Sequence, residues 1–187
     1  MKIYKLKYSD EPEYDFLVCS VKIDSPWFYL CWSLGARFSE EMPTPIEYYS
    51  DKDSQIEDYP LTNADQFLVS KKMFNLISTF GAKFDTYKSI VCSPNGSIRN
   101  DFYTLNFIES FEALDRKLSV YENDPDFPET KVYRIKRLVL KKKAIPKDVH
   151  IFRLGENETE ILISESLKEQ FEDGNLTGIA FENIELV

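Results

Sequence analysis

The chain has 187 residues, a formal charge of −9, 43% hydrophobic residues and 14% aromatics. That is enough apolar material for a packed core and too much for a disordered chain. The acidic balance argues against general affinity for nucleic acid or anionic membranes. At roughly 150 residues per domain, the length predicts one domain over residues 1–187, with 1–95 and 96–187 as candidate subdomains.

Lys2, Lys5 and Lys7 precede an apolar stretch of only Phe16 to Val21, and Asp10, Glu11, Glu13 and Asp15 intervene, which is not the pattern of a signal peptide. No window approaches the roughly 18–20 uninterrupted apolar residues of a membrane span. Cys19, Cys31 and Cys92 are odd in number, with no CxxC pair, and read as reduced thiols of a cytoplasmic protein rather than a disulfide scaffold or zinc site. Trp27 to Trp32 is too aromatic for a loop and is expected to anchor the N-terminal half of the core.

Between Glu40 and Pro60 the chain is polar, acidic and marked by Pro43, Pro45 and Pro60, and it is expected to form irregular solvated backbone. FLVSKKMFNLISTFGAKF (Phe67–Phe84) follows, and ILISESLKEQFEDGNLTGIAF (Ile161–Phe181) echoes it. In both, three apolar residues run into a serine suited to cap a helix, Ser70 or Ser164. Met73, Ile77 and Phe80, like Leu167 and Phe171, then fall at the spacing of one buried helical face, and Gly81 and Gly174 are natural stops. The pattern predicts helices at Ser70–Phe80 and Ser164–Asp173 in two similar strand-helix-strand units. Convergence on common α+β grammar explains the echo as readily as duplication does.

Asp101 to Ile108 alternates as a strand with one better-buried face, and Ser110 to Leu118 reads as a short helix before the loop ENDPDFPET. Val132 to Lys141 is a cationic strand, and Val149–Leu154 with Glu160–Ile163 forms a hairpin. The fold class is therefore α+β, with a mostly antiparallel sheet. Lys131 to Arg153 holds nine cations and one acid, Asp148, and an acid-rich segment follows. Neutralisation within the molecule competes here with a basic binding patch.

No Walker A, GxGxxG, HExxH or GxSxG pattern is present. His150, the only histidine, lies in a strand without a nucleophile motif, so a structural role is expected, and no catalytic residue is assigned. Asp51, Asp53, Glu57 and Asp58 resemble the start of a calcium loop but lack its central Gly and terminal Glu. No metal and no cofactor are assigned.

The order of "DFYTLN", "LDRKLSVY", "HIFRL", "ILISESLK" and "LTGIAFENI", preceded by DYPLTNADQFLVSKKM, resembles the bacterial immunity-protein family of polymorphic toxin systems first defined from a myxobacterial protein. The resemblance covers about Glu40 to Val187. Leu118 departs from it, standing where a more polar residue is expected. The resemblance implies a small cytoplasmic protein that binds and neutralises a cognate protein toxin without catalysis. An acidic inhibitor suits a basic toxin, with no nucleic-acid or membrane partner. A contiguous acidic surface would then be needed, and the tyrosine-bearing segment Glu47, Tyr48, Tyr49, Asp51, Asp53, Glu57, Asp58 and Tyr59 is the candidate contact; a solvated loop without a partner is the alternative. Two other classes stay open. One is a small hydrolase or transferase using His150 with spatially assembled carboxylates. The other is a nucleic-acid module using Lys136, Arg137 and Lys141 to Lys143, which would require exposed stacking aromatics beside them.

Overall fold

The computed structural model describes residues 2–9, 16–19, 31–38, 42, 44–51, 53, 56–63 and 66–187. Trp27 lies outside them. Trp32 is within, almost wholly buried beside Phe38 and Tyr87.

The first half contributes β1 (Ile3–Tyr8), β2 (Phe16–Cys19), β3 (Ile46–Ser50), β4 (Leu61–Thr62), β5 (Phe67–Ser70), helix α1 (Lys71–Thr79) and β6 (Phe84–Cys92). The second half contributes β7 (Ile98–Phe107), β8 (Ser110–Phe111), β9 (Val120–Asn123), β10 (Val132–Arg137), β11 (Val139–Leu140), β12 (Ile151–Leu154), β13 (Asn157–Ser164), α2 (Glu165–Asp173) and β14 (Ile179–Leu186). Two six-stranded sheets result, ordered β11-β14-β1-β13-β12-β8 and β4-β2-β3-β6-β7-β5, with β9 and β10 as a separate ribbon. Both large sheets are mixed, which corrects the expectation of a mostly antiparallel one. The exceptions are β11 on β14 and β8 on β12 in the first sheet, and β4 on β2 and β6 on β3 in the second, all parallel.

The two serine-led segments share their local geometry. Ser70 and Ser164 are both extended, and their hydroxyls accept from the backbone N–H of Met73 and Leu167. Met73 and Ile77 are buried in α1, Leu167 and Phe171 in α2, at matching offsets from the cap. Neither segment is a closed strand-helix-strand package, however. β7 separates β5 from β6, and β1, from the far end of the chain, separates β13 from β14. The helix ends also differ. Gly81 takes the left-handed conformation after α1, whereas after α2 it is Asn175 that does so. At Gly174 a Cβ would fit tightly, 3.0 Å from Gln170 O and 3.1 Å from Leu76 of α1.

The helix expected at Ser110–Leu118 is not formed. Neighbouring strands take its backbone groups: Ser110 and Phe111 pair with Arg153 and Leu154, and Asp115 N–H donates to Val139 O. Nor does β7 have a single buried face, because Thr104 to Phe107 are all buried. One of its sides meets Leu68 and Tyr48, and the other meets α1 and the first sheet. The hairpin of β12 and β13 is present, with an irregularity after Arg153. A shared core takes Phe67, Val69, Leu105 and Phe107 from the second sheet, Leu6, Ile151, Ile161 and Ile163 from the first, and the inner faces of both helices.

Candidate functional site

The acidic segment divides into parts that do different things. Ile46 to Ser50 is strand rather than loop, since IEYYS alternates: Ile46, Tyr48 and Ser50 point inward, Glu47 and Tyr49 outward. Tyr48 is fully buried, and its hydroxyl lies 2.9 Å from Thr104 Oγ1, which is 2.7 Å from Ser89 Oγ, so a chain of hydroxyls crosses the sheet interior. Tyr49 is 44% exposed and donates to Glu47 Oε2 at 2.8 Å. Asp51 and Asp53 are exposed, and Asp53 Oδ1 accepts from Asn95 N–H, joining this loop to the turn between β6 and β7.

Glu57 is half-buried and packs close to Gly178, whose φ of +78° and contact with Tyr59 O leave no room for a side chain. Asp58 accepts from the Ser70 hydroxyl with one oxygen and from Thr177 N–H with the other. Tyr59 is buried, stacked on Tyr8 at 4.3 Å and packed on Phe67. Asp58 and Tyr59 therefore clamp the start of α1 to the stretch after α2. The carboxylates read together as a possible calcium loop are held apart by these partners. Among the described residues no group of three or more His, Cys, Asp or Glu could hold a metal ion.

His150 is half-buried under the Phe80 ring. Its Nδ1 lies 2.9 Å from Ser164 Oγ and 3.1 Å from Ser166 Oγ. It borders a cavity of about 480 Å³ with Lys2, Lys142, Lys147, Glu165 and Glu169. Of the two carboxylates, Glu165 is bound to Lys2 at 2.5 Å, which raises the lysine and lowers the glutamate from their ordinary pKa values. The serines that hold the imidazole belong to the capped start of α2. No sequence spacing foretells that, because the partners come from positions 14 and 16 residues away.

The cationic ribbon is neutralised in part, through its first four cations. Lys131 pairs with Glu158, Arg134 and Lys136 with Glu122, and Arg137 with Glu185. Arg153 is not a surface charge at all. It is buried, and its guanidinium donates to the carbonyls of Phe107, Trp32, Ser33 and Glu158. Burial pulls its pKa down to about 10, which leaves it charged at neutral pH and pinning β12 to the end of β7. Lys141, Lys142, Lys143 and Lys147 are exposed and make no ion pair among the described residues, and no strongly exposed aromatic accompanies that run.

A family model, the Immunity protein family (Imm11), matches residues 13–185, which takes in every strand of both sheets except β1 and nearly all of β14. The chain belongs to the Imm11 immunity family. The Imm11 match begins well upstream of Glu40 and so includes β2 and the segment around Trp32. No curated protein matches the chain. No helix among the described residues is long and apolar enough to cross a membrane.

Proposed function

We propose that this Imm11 protein binds and neutralises a cognate protein toxin in the cytoplasm, without chemistry of its own, and that the toxin presents a basic surface. The observation that carries this reading, beside family membership, is that Glu47, Tyr49, Asp51 and Asp53 face outward together from β3 and the loop after it. Carboxylates in that position raise the encounter rate with a basic protein, and the tyrosine supplies contact area at low entropic cost. Tyr48, Asp58 and Tyr59 serve by holding this segment in place. The test is co-expression with the toxin encoded by the neighbouring gene. Wild type should restore growth, and reversing Asp51, Asp53 and Glu57 to Lys should slow association about tenfold at low salt and flatten its salt dependence. Failure of wild type to protect would sink the reading.

The hydrolase or transferase reading has less support, because the hydrogen bonds of His150 go to serines and none goes to a carboxylate. His150→Ala should therefore protect as well as wild type does.

A further inference from the structure

Directly paired residues on neighbouring strands share a face, so the register sorts the second sheet into two sides. One side carries Phe67, Val69, Leu105 and Phe107 into the shared core. The same side continues outward over β6, β3 and β2. There Ile98 pairs with Cys92, Cys92 with Tyr49, and Tyr49 with Val18. These four residues form one row across four strands, and three of them emerge around a half-buried Cys92: Ile98 is 64% exposed, Val18 45% and Tyr49 44%. Solvated strand faces ordinarily carry polar side chains. Burial pushes the Cys92 thiol up, so at neutral pH it stays uncharged and counts as a small apolar group.

We propose that this row is the apolar centre of the toxin-binding face, occupied by a basic surface of the toxin that places Lys or Arg side chains around an apolar patch. The proposal rests on the immunity reading above and adds the centre of contact to it. Charge complementarity decides the occupant. Glu47 lies on the same face as the row, Asp51 and Asp53 follow in the loop after β3, and among the described residues of these strands Lys88 is the cation on that face. The bond from Asn95 to Asp53 fixes the acidic rim to the turn that leads into Ile98, so little ordering remains to be done on binding. Leu118, Val120, Phe127 and Tyr133, in and beside the β9–β10 ribbon, are exposed too, but cations and acids mix there: Arg134 lies over the Tyr133 ring, and Arg134 and Lys136 share Glu122. A basic partner would meet mixed charge there, with Glu122 already engaged, rather than an acidic rim.

The experiment measures affinity between the purified protein and the purified toxin domain encoded beside it. Ile98→Asp and Tyr49→Ala are compared with Tyr133→Ala, and each variant is melted to confirm its fold. The two row variants should each weaken binding by about thirtyfold or more while Tyr133→Ala leaves it unchanged, as expected for central against peripheral residues. Row variants that bind as wild type does would overturn the proposal and leave the immunity reading standing; weakening by Tyr133→Ala alone would move the interface to the ribbon. If wild type does not bind the toxin, both the reading and the proposal fall. A wild-type dimer that Ile98→Asp dissociates, with toxin affinity intact, would make a second copy the occupant and equally overturn it.

Discussion

Residues 46–53 and 56–59 are neighbours in one acidic, tyrosine-bearing segment, yet the fold uses them in opposite ways. The first stretch turns Glu47, Tyr49, Asp51 and Asp53 outward from a strand. The second turns Asp58 and Tyr59 inward, where they bind Ser70, Thr177 and Tyr8. A carboxylate is an anchor or an antenna according to whether its partners tie it to other elements of the core or leave it at the surface, and composition is blind to that difference.

The comparison breaks most visibly at Tyr59. Removing a buried aromatic ring costs about 3–5 kcal/mol, so Tyr59→Ala should lower the denaturant midpoint severely, whereas Tyr49→Ala should hardly move it. Asp58→Ala comes next. It strands the Ser70 hydroxyl and Thr177 N–H, and loss of hydrogen bonds to a charged acceptor costs about 1.5–3 kcal/mol, readable in the same titration.

Glu156 sharpens the contrast from the first sheet. It is 5% exposed, with one oxygen accepting from Leu114 N–H at 3.2 Å and the other, Oε2, without a partner. Burial pushes its carboxyl above the usual glutamate value of 4.5. The folded state therefore holds this proton more tightly than the unfolded one does, and the associated stability is complete below the unfolded pKa and lost as pH rises through the folded one. Glu156→Gln keeps an acceptor and removes the charge, so its melting temperature should gain on wild type as pH is raised from below the usual glutamate value of 4.5 through the raised folded one. A constant difference across that range would refute it. The smallest effect belongs to the outward acids. Asp51→Lys should change stability by no more than about 0.5 kcal/mol, and a larger loss would mean that Asp51 is an anchor too.

Features set by local chemistry were legible in the sequence. Both serine caps, both amphipathic helices and the β12–β13 hairpin follow from side-chain types a few residues apart. The acids and flanking prolines of Ile46 to Ser50 point to loop and mask a five-residue alternation that points to strand. The absence of a helix at Ser110–Leu118 has a different cause: SFEALDRKL suits a helix locally, but the edges of β12 and β11 compete for its backbone. Arg153 could not be placed, since its carbonyl partners at Trp32, Ser33 and Phe107 come from distant positions. The row from Val18 to Ile98 depends on the register of four strands, which no single segment encodes.

The place of β1 between β13 and β14 governs when the first sheet can exist. Ile3 is paired with Ser164 and Ile184, so the middle of the sheet joins residues about 160 and about 180 positions apart, and loop closure over such lengths is slow. During synthesis the second sheet has all its strands once Phe107 has emerged. β1 is translated before the other described strands and waits longest for its partners, until β13 and β14 follow. The interval during which β1 stays open is thus set by the length of chain that must be translated before it finds a neighbour.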